Sequence, residues 1–307
     1  MSYAWPPATI GVIGAGAVGR TVGAALVSSG ICDRLRIVSR TRDQAAVYAD
    51  DLADMAGALG RRLRVSAVPV TECTEADAVV VALRARFTNT ADRTDIRIGG
   101  LRHNAPAIAD TARALHGYRG PVLVVTNPVD VMTRLFAETS GCPRVFGIGS
   151  NLDAARYRAY LADLFDVAPH EVHGHVIGEH GRYATICAST TTVRGMPVAF
   201  PLREAHGHLT TRPAAISDGA GRTRAGPAGA VLSALRHALG HADGTEELSA
   251  PYAGGYLGIP VHFTAGHPEP RLPRLNDAET RRFERAQRHL HDTYEELTAH
   301  LSSEGIA

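Results

Sequence analysis

Lysine is missing from this sequence of 307 residues, so all 32 basic side chains are arginine. The four cysteines lie far apart, and none forms a Cys-x-x-Cys pair. That spacing argues against a zinc knuckle and against a disulfide scaffold, because both use cysteines in recognisable sets. We therefore expect a reduced compartment, the cytoplasm.

Long apolar stretches are missing as well. No apolar run approaches the ~18 residues of a membrane-spanning helix, and the N-terminus lacks a basic segment followed by an apolar run. A formal net charge of +1 provides no overall field to attract nucleic acid or an anionic membrane. We expect neither membrane insertion nor nucleic-acid binding, so any electropositive function must be local.

Short apolar runs alternate with helical stretches from residue 8 onward. Helices are predicted at residues 17–29, 42–59 and 104–116, between the strand-like runs TIGVIG, LRIV, LRVSAV and DAVVVAL. Strands that alternate with helices predict crossover connections and a parallel sheet. Two further strand signals, PVLVVTNPVD and RVFGIGSN, follow, and we expect the sheet to end there.

A glycine-rich turn comes directly after the first predicted strand. Gly14, Gly16 and Gly19 form G-x-G-x-x-G at the start of a helix. Glycines permit a tight turn and let the backbone approach a pyrophosphate, while the helix start at Ala17 and Val18 offers N–H groups to phosphates. We interpret the turn as a dinucleotide site; the alternative is a glycine turn that only packs.

The chain is therefore predicted to be α/β in two domains. An N-terminal Rossmann doubly wound parallel sheet at residues 1–145 would bind the dinucleotide. Residues 146–307 would form a C-terminal α+β substrate domain, with a hairpin through PVHFTAG and a long last helix. Asn276 and Glu279 are spaced as a capping box at the start of that helix.

The second predicted strand ends in RIVSRTR, without a carboxylate where an NAD site places one for the adenosine ribose. Ser39 occupies that position, and Arg40 and Thr41 follow it. Hydroxyl and guanidinium groups bind a 2′-phosphate, whereas a carboxylate repels it. We therefore predict NADP in preference to NAD; the alternative is that Arg40 and Arg42 are solvated charges at a helix start.

Four motifs occur in order along the chain: GAGAVG, TNPVD at residues 126–130, LDAAR at 152–156 and VIGEHG at 176–181. Together they closely resemble the lactate and malate dehydrogenase family of 2-hydroxy acid dehydrogenases, over residues 8–299. The resemblance implies hydride transfer between a nicotinamide cofactor and C2 of a 2-oxo or 2-hydroxy acid. It also implies a homodimer or homotetramer that uses no metal.

The chemical roles follow from these motifs. Reduction of a 2-oxo acid needs a proton for the forming alkoxide, and His180 is placed to deliver it. Asp153 would orient the imidazole and stabilise the imidazolium, and Arg156, at i+3 on the same helical face, would grip the substrate carboxylate. By resemblance, Asn127 lies near the reacting carbonyl and the nicotinamide, and Thr223 lines the substrate pocket.

The family also supplies a lid arginine that polarises the substrate carbonyl. Counting forward from DAVVV indicates Arg93, within an R-x-D-L-like RTDI, whereas counting back from Asn104 indicates Arg97. We prefer Arg93, because its local match is closer. The specificity position is then Phe87, beside Arg86, and both an apolar pocket and a second carboxylate grip stay open.

Arg182 follows GEHG and Arg224 follows Thr223, which leaves open a specialised, polyanionic substrate. His173 and His175 share one strand face, but no third metal ligand stands at suitable spacing, so we predict no metal site. Two alternatives remain: an NAD-dependent glycosidase of the same fold, and a catalytically idle homologue that serves as a binding subunit. The intact GEHG and LDAAR motifs argue against both.

Overall fold

Six parallel strands form the N-terminal part of the sheet in the computed structural model, which describes residues 8–86 and 100–305. Their order is β3-β2-β1-β4-β5-β6, with every neighbouring pair parallel. This is the doubly wound order of dinucleotide-binding domains, as predicted. The strands are β1 (Thr9–Ile13), β2 (Arg34–Val38), β3 (Arg64–Ala67), β4 (Ala78–Val81), β5 (Val122–Val124) and β6 (Val145–Gly147).

Helices cover this parallel sheet. The predicted first helix is confirmed at its predicted bounds, and it ends at Gly30, whose left-handed φ of 71° closes the C-terminus. Its buried residues recur every three or four positions, from Gly19 to Val27, because one face packs on the sheet. The helices of this half are α1 (Ala17–Ser29), α2 (Arg42–Ala58), α3 (Leu101–Ala114) and α4 (Val129–Ser140), with a 3-10 helix at Val70–Glu75.

The remaining strands form the second half of the described chain. They are β7 (Val172–His173), β8 (Val176–Gly178), β9 (Ala184–Ile186), β10 (Thr192–Val193), β11 (Met196–Pro197), β12 (Gly244–Tyr252), β13 (Gly255–Thr264) and β14 (His267–Pro270). The helices here are α5 (Ser150–Phe165), α6 (Leu202–Ala220), α7 (Ala225–Ala238) and α8 (Asp277–Ser303), with 3-10 turns at Pro169–Glu171 and Ala188–Thr190.

The expectation that the sheet ends after β6 is wrong. Strand β12 pairs antiparallel with β6 through Ser249 and Gly147, and the order continues β12-β13-β8-β9, with β14 beside β13. Local periodicity does not reveal this continuation, because the pairing joins segments about a hundred residues apart, a tertiary choice rather than a local one. The described residues thus form one 11-stranded sheet and a small β11-β10-β7 sheet.

The last helix confirms its predicted start. The Asn276 side chain accepts hydrogen bonds from the backbone N–H groups of Ala278 and Glu279, and Glu279 accepts one from Asn276 in return. One apolar stripe of α8 is buried, at Phe283, Ala286, Leu290, Tyr294 and Leu297. Within the described residues, no helix is both long enough and apolar enough to cross a bilayer.

Candidate active site

The glycine-rich turn lies against the end of β4. Gly14 has φ 112°, and a Cβ there would stand 2.6 Å from the carbonyl oxygen of Ala82. A Cβ on Gly19 would stand 1.7 Å from the Gly14 oxygen, whereas one on Gly16 would meet nothing within 4 Å. Helix α1 begins at Ala17 without a side-chain cap or an acid in its first turn. The open position and the uncapped amides fit a pyrophosphate.

The end of β2 lies next to this turn, because the Gly14 N–H donates to the last carbonyl of that strand at 2.8 Å. Thr41 is the N-cap of α2 and accepts the Gln44 N–H at 3.2 Å. The Ser39 hydroxyl lies 3.4 Å from the Gln44 side-chain oxygen, and Arg40 is exposed. The predicted adenosine-side residues are therefore together, with the arginine open to solvent.

One cleft of about 940 Å³ runs from the start of α1 to His180. The predicted residues that line it are Gly16, Ala17, Val18, Arg86, Asn127, Arg156, His180 and Thr223. Arg84 and Arg222 also line it, which the sequence interpretation missed. Burial and the nearby Arg222 guanidinium both lower the pKa of Arg84. Among the described lining residues there is no aspartate or glutamate, so the cleft suits an anion.

A histidine and an aspartate meet at the inner end of the cleft. His180 follows β8, and its Nδ1 lies 2.6 Å from Oδ2 of Asp153, in the first turn of α5. Arg156, one turn further along α5, donates from Nη1 to the other Asp153 oxygen at 3.2 Å. Asp153 is 3% exposed and Arg156 7%. The three side chains that the motifs predicted are thus in contact and shielded from water.

The TNPVD loop is tied to the segment after β4. Asn104 of α3 accepts the Ala85 N–H at 2.9 Å and donates to the Asn127 carbonyl at 2.8 Å. Thr126 donates to the Leu83 carbonyl at 2.8 Å. Asn104, 3% exposed, served the sequence interpretation only as a counting point. A buried polar residue in a helix is the signal that identifies such a bridge.

Two residues beside His180 were also missed. A Cβ on Gly149 would stand 2.4 Å from Cγ of the His180 ring, so that position excludes larger side chains. Asp130, the last residue of TNPVD, accepts the His180 backbone N–H at 2.8 Å and is 3% exposed. Burial raises the pKa of this carboxyl to about 7. Gly149 and Asp130 are both distant from His180 in sequence, so the spacing within a motif does not predict either contact.

Other predicted residues stand apart from the cleft or outside the described chain. Phe87, Arg93 and Arg97 lie outside the described residues. Arg182 has its guanidinium 5.8 Å from the Tyr183 ring centre, and Arg224 points back to the end of α6, 3.4 Å from the Ala220 oxygen. Neither belongs to the described lining of the cleft.

The predicted histidine pair does not share a strand, because β7 ends at His173 and His175 lies before β8. His175 binds Glu247 through Nδ1 at 2.7 Å, and His173 is exposed on β7. Within residues 8–86 and 100–305, no group of three or more His, Cys, Asp or Glu side chains is arranged to hold a metal ion.

A doubly wound sheet, an uncapped glycine-rich turn and a buried histidine–aspartate pair beside one cleft define a Rossmann-type dinucleotide-binding protein. The chain belongs to the lactate/malate dehydrogenase family. Residues 8–149 match the family model for the lactate/malate dehydrogenase NAD binding domain, and residues 150–208 match that for the alpha/beta C-terminal domain. The family predicted from the motifs is thus confirmed.

Named relatives agree with this assignment. The chain is 33% identical over 202 residues to an L-lactate dehydrogenase of Zea mays, covering 64% of this chain and 56% of that protein. It therefore spans little more than half the length of that curated relative. A lactate dehydrogenase from a Medee basin deep-sea metagenome library superposes with a TM-score of 0.87 at 22% identity, covering 96% of this chain and 100% of the other.

A malate dehydrogenase of Cryptosporidium parvum gives the same TM-score of 0.87 at 21% identity, again with 96% and 100% coverage. At such identities the solved structures show a shared fold alone, and they include both lactate and malate enzymes. The choice of substrate thus rests on this chain's own residues.

Proposed function

We propose that this protein is an NAD(P)-dependent dehydrogenase that interconverts a 2-oxo acid and the corresponding 2-hydroxy acid. The observation that carries the proposal is the 2.6 Å contact between His180 and Asp153 in the cleft that also reaches the glycine-rich turn. A proton donor and a dinucleotide site thereby share one cavity. When bound, the nicotinamide supplies or accepts the hydride at C2 of the substrate.

His180 moves the proton. In reduction it is protonated and donates from Nε2, the ring nitrogen opposite Asp153, to the alkoxide oxygen; in oxidation it takes that proton back. Asp153, 3% exposed, fixes the ring through Nδ1 and stabilises the imidazolium. Little water reaches the Asp153 carboxylate, so its negative charge is balanced by the His180 ring and the Arg156 guanidinium.

Arg156 holds the substrate carboxylate. Its guanidinium donates to Asp153 through Nη1 and also lines the cleft. The same turn of α5 therefore positions both the substrate carboxylate and the histidine–aspartate pair. A planar guanidinium suits a bidentate carboxylate contact. Asn127 and Thr223 line the cleft beside it, near the reacting carbonyl in this proposal.

The lid arginine completes the proposed site. Arg93 polarises the carbonyl as negative charge develops, with Arg97 as the alternative. Arg86 lines the cleft and is exposed, so it is available for a second anionic group. The glycosidase alternative requires a cysteine and a histidine that bind a metal ion. It gains no support, since all four cysteines are buried and free and the described residues present no metal cluster.

Within the NAD(P) class, we propose that NADPH is preferred. Ser39 and the exposed Arg40 at the end of β2 support this choice, since neither repels a 2′-phosphate. The family model is described as NAD binding, which makes NADH the competing outcome. In a fluorescence titration at fixed salt, we expect NADPH to bind at least ~10-fold tighter, about 1.4 kcal/mol. Arg40→Ala should remove that difference.

Arg62→Ala is the matched control for cofactor choice. Arg62 is also exposed, but it precedes β3. The N-terminal ends of parallel strands lie opposite the C-terminal ends, where Arg40 follows β2. This variant should keep the wild-type ratio of NADPH to NADH affinity. Equal or tighter NADH binding by the wild type would contradict the NADPH preference and leave the acid–base chemistry untouched.

His180→Ala tests the reaction itself. The variant should bind the reduced cofactor as the wild type does, yet lose turnover with every 2-oxo acid by about 10²–10⁴-fold. Pyruvate-like monocarboxylates and dicarboxylates are screened side by side with wild-type enzyme first. Retained turnover in the variant, or no wild-type turnover on either class despite cofactor binding, would overturn the proposal; the second result indicates a binding subunit.

A further inference from the structure

A buried carboxylate lies directly behind the His180 turn and has no place in the mechanism above. Asp130 stands in the first turn of α4, and its Oδ2 accepts the His180 backbone N–H at 2.8 Å. The other oxygen, Oδ1, is buried, and the Ser249 hydroxyl lies close enough to this carboxyl to lower its pKa. A buried carboxyl is costly to retain, which points to a role beyond packing.

The surroundings of Asp130 are rich in acids. Glu179, 5% exposed, precedes His180 in sequence, and Asp153, 3% exposed, contacts the His180 ring. Glu179 accepts the Tyr183 N–H at 2.9 Å and lies 3.7 Å from Nε2 of His289 on α8. Three buried carboxyls therefore lie around the His180 turn, and each ionised member favours the protonated ring.

A second cavity reaches Asp130 from the side away from the cleft. It has a volume of about 60 Å³, enough for water, and it shares no lining residue with the large cleft. The titratable and charged groups that line it with Asp130 are Arg134 of α4, Tyr256 of β13, and His291 and Tyr294 of α8. Asp130 therefore has a neighbouring space for proton exchange that does not involve the substrate.

We propose that Asp130 is a positioning residue that holds the His180 turn through the backbone and sets the proton affinity of the His180 ring. Ionised Asp130 favours the imidazolium, which is the proton donor in reduction. Protonated Asp130 still accepts the His180 N–H but carries no negative charge, so it no longer favours the imidazolium. The inference rests on the proposed function, because it assigns His180 the acid–base role.

Burial is the largest cause that raises the pKa of Asp130 to about 7, and the Glu179 and Asp153 charges raise it further. The hydrogen bonds from the His180 N–H and the Ser249 hydroxyl act in the opposite direction. The carboxyl therefore changes its charge in the range where histidine titrates. We therefore expect Asp130 and the His180 ring to titrate as a coupled pair, in two steps.

The first test compares pH profiles of kcat/KM for 2-oxo acid reduction in the wild type and in Asp130→Asn. Asparagine retains an oxygen that accepts the His180 N–H but carries no charge. We expect the limb on which activity is lost at rising pH to move to lower pH by about 0.5–1 unit, with unchanged cofactor affinity. Asp130→Ala, which also loses the acceptor, should lower kcat by about 10-fold or more, and asparagine should restore most of that loss.

Glu138→Gln is the matched control, since Glu138 is an acid on α4 that binds Arg134 and Tyr294 and not His180. It should leave the profile in place. An Asp130→Asn profile that coincides with that of the wild type would overturn the proposal. So would equal kcat losses in the asparagine and alanine variants.

NMR of ring-labelled histidine in the cofactor-free wild-type protein provides a readout that needs neither turnover nor a folded variant. A two-step titration of His180 supports coupling to Asp130, and a single step overturns it. If the enzyme turns over no 2-oxo acid, the proposed function fails while this titration still decides the inference.

Discussion

Adding one methyl group at Gly149 should lower turnover strongly while the protein still folds. The Gly149 φ of −175° lies outside the left-handed region that favours glycine, so the expected effect of Gly149→Ala comes from the new Cβ. The new Cβ would stand 2.4 Å from Cγ, 2.7 Å from Cδ2 and 2.8 Å from Cβ of His180. The clash therefore falls on the His180 ring, which we propose as the proton donor.

The size of the effect follows from that geometry. The ring must retreat by about 1 Å to regain ordinary contact, which displaces Nδ1 from its 2.6 Å contact with Asp153. Misplacement of a reacting group by 1 Å costs about 10²-fold in rate, and overpacking costs about 1–3 kcal/mol of stability. We expect kcat to fall about 100-fold, with cofactor affinity within about twofold of wild type.

Steady-state kinetics, a fluorescence titration of the reduced cofactor and urea unfolding measure the three quantities. Gly229→Ala on α7 is the matched control, because a Cβ there meets nothing within 4 Å. It should leave kcat unchanged and stabilise the helix by about 0.5–1 kcal/mol. A folded Gly149→Ala enzyme with kcat close to that of wild type would refute the reasoning that the ring position is set by this contact.

Three further predictions concern charged side chains. Asp153→Asn should lower kcat by about 10²-fold or more without weakening cofactor binding, because the imidazolium loses its buried partner; stopped-flow turnover measures this, and near-wild-type kcat contradicts it. Burial raises the pKa of Asp130 from 3.8 to about 7, so its carboxyl stabilises the fold when protonated and that contribution is lost as pH rises through 7. Urea unfolding should therefore show Asp130→Asn gaining stability relative to wild type between about pH 5 and 9, by at most about 3 kcal/mol, whereas a pH-independent difference would show that Asp130 does not titrate there. Arg222→Gln should raise KM for the 2-oxo acid or Kd for the cofactor about 10-fold, because Arg222 lines the anion cleft; Arg224→Gln, outside the described lining, should change neither, and equal behaviour of the two variants would contradict the assignment.

Much of the fold follows from local sequence. The glycine-rich turn, the strand before it and α1 after it are specified within some twenty residues, because turn geometry and the spacing of apolar residues are local properties. The same holds for α8, where Asn276 and Glu279 cap the helix. The prediction ended the sheet at β6 and missed its pairing with β12. Strand pairing across a hundred residues depends on which edge of the sheet is left open, and local sequence does not show this.

The candidate site divides in the same way. Sequence alone determined the family, the residues that we propose for proton transfer and carboxylate binding, and the i+3 pairing of Asp153 with Arg156, since motif order and helical spacing are readable from one chain. Only the tertiary structure brought His180 to Asp153, placed Gly149 against its ring and put Asp130 behind its backbone. These are contacts between distant segments, and their energy depends on atomic distance and burial, which periodicity does not encode.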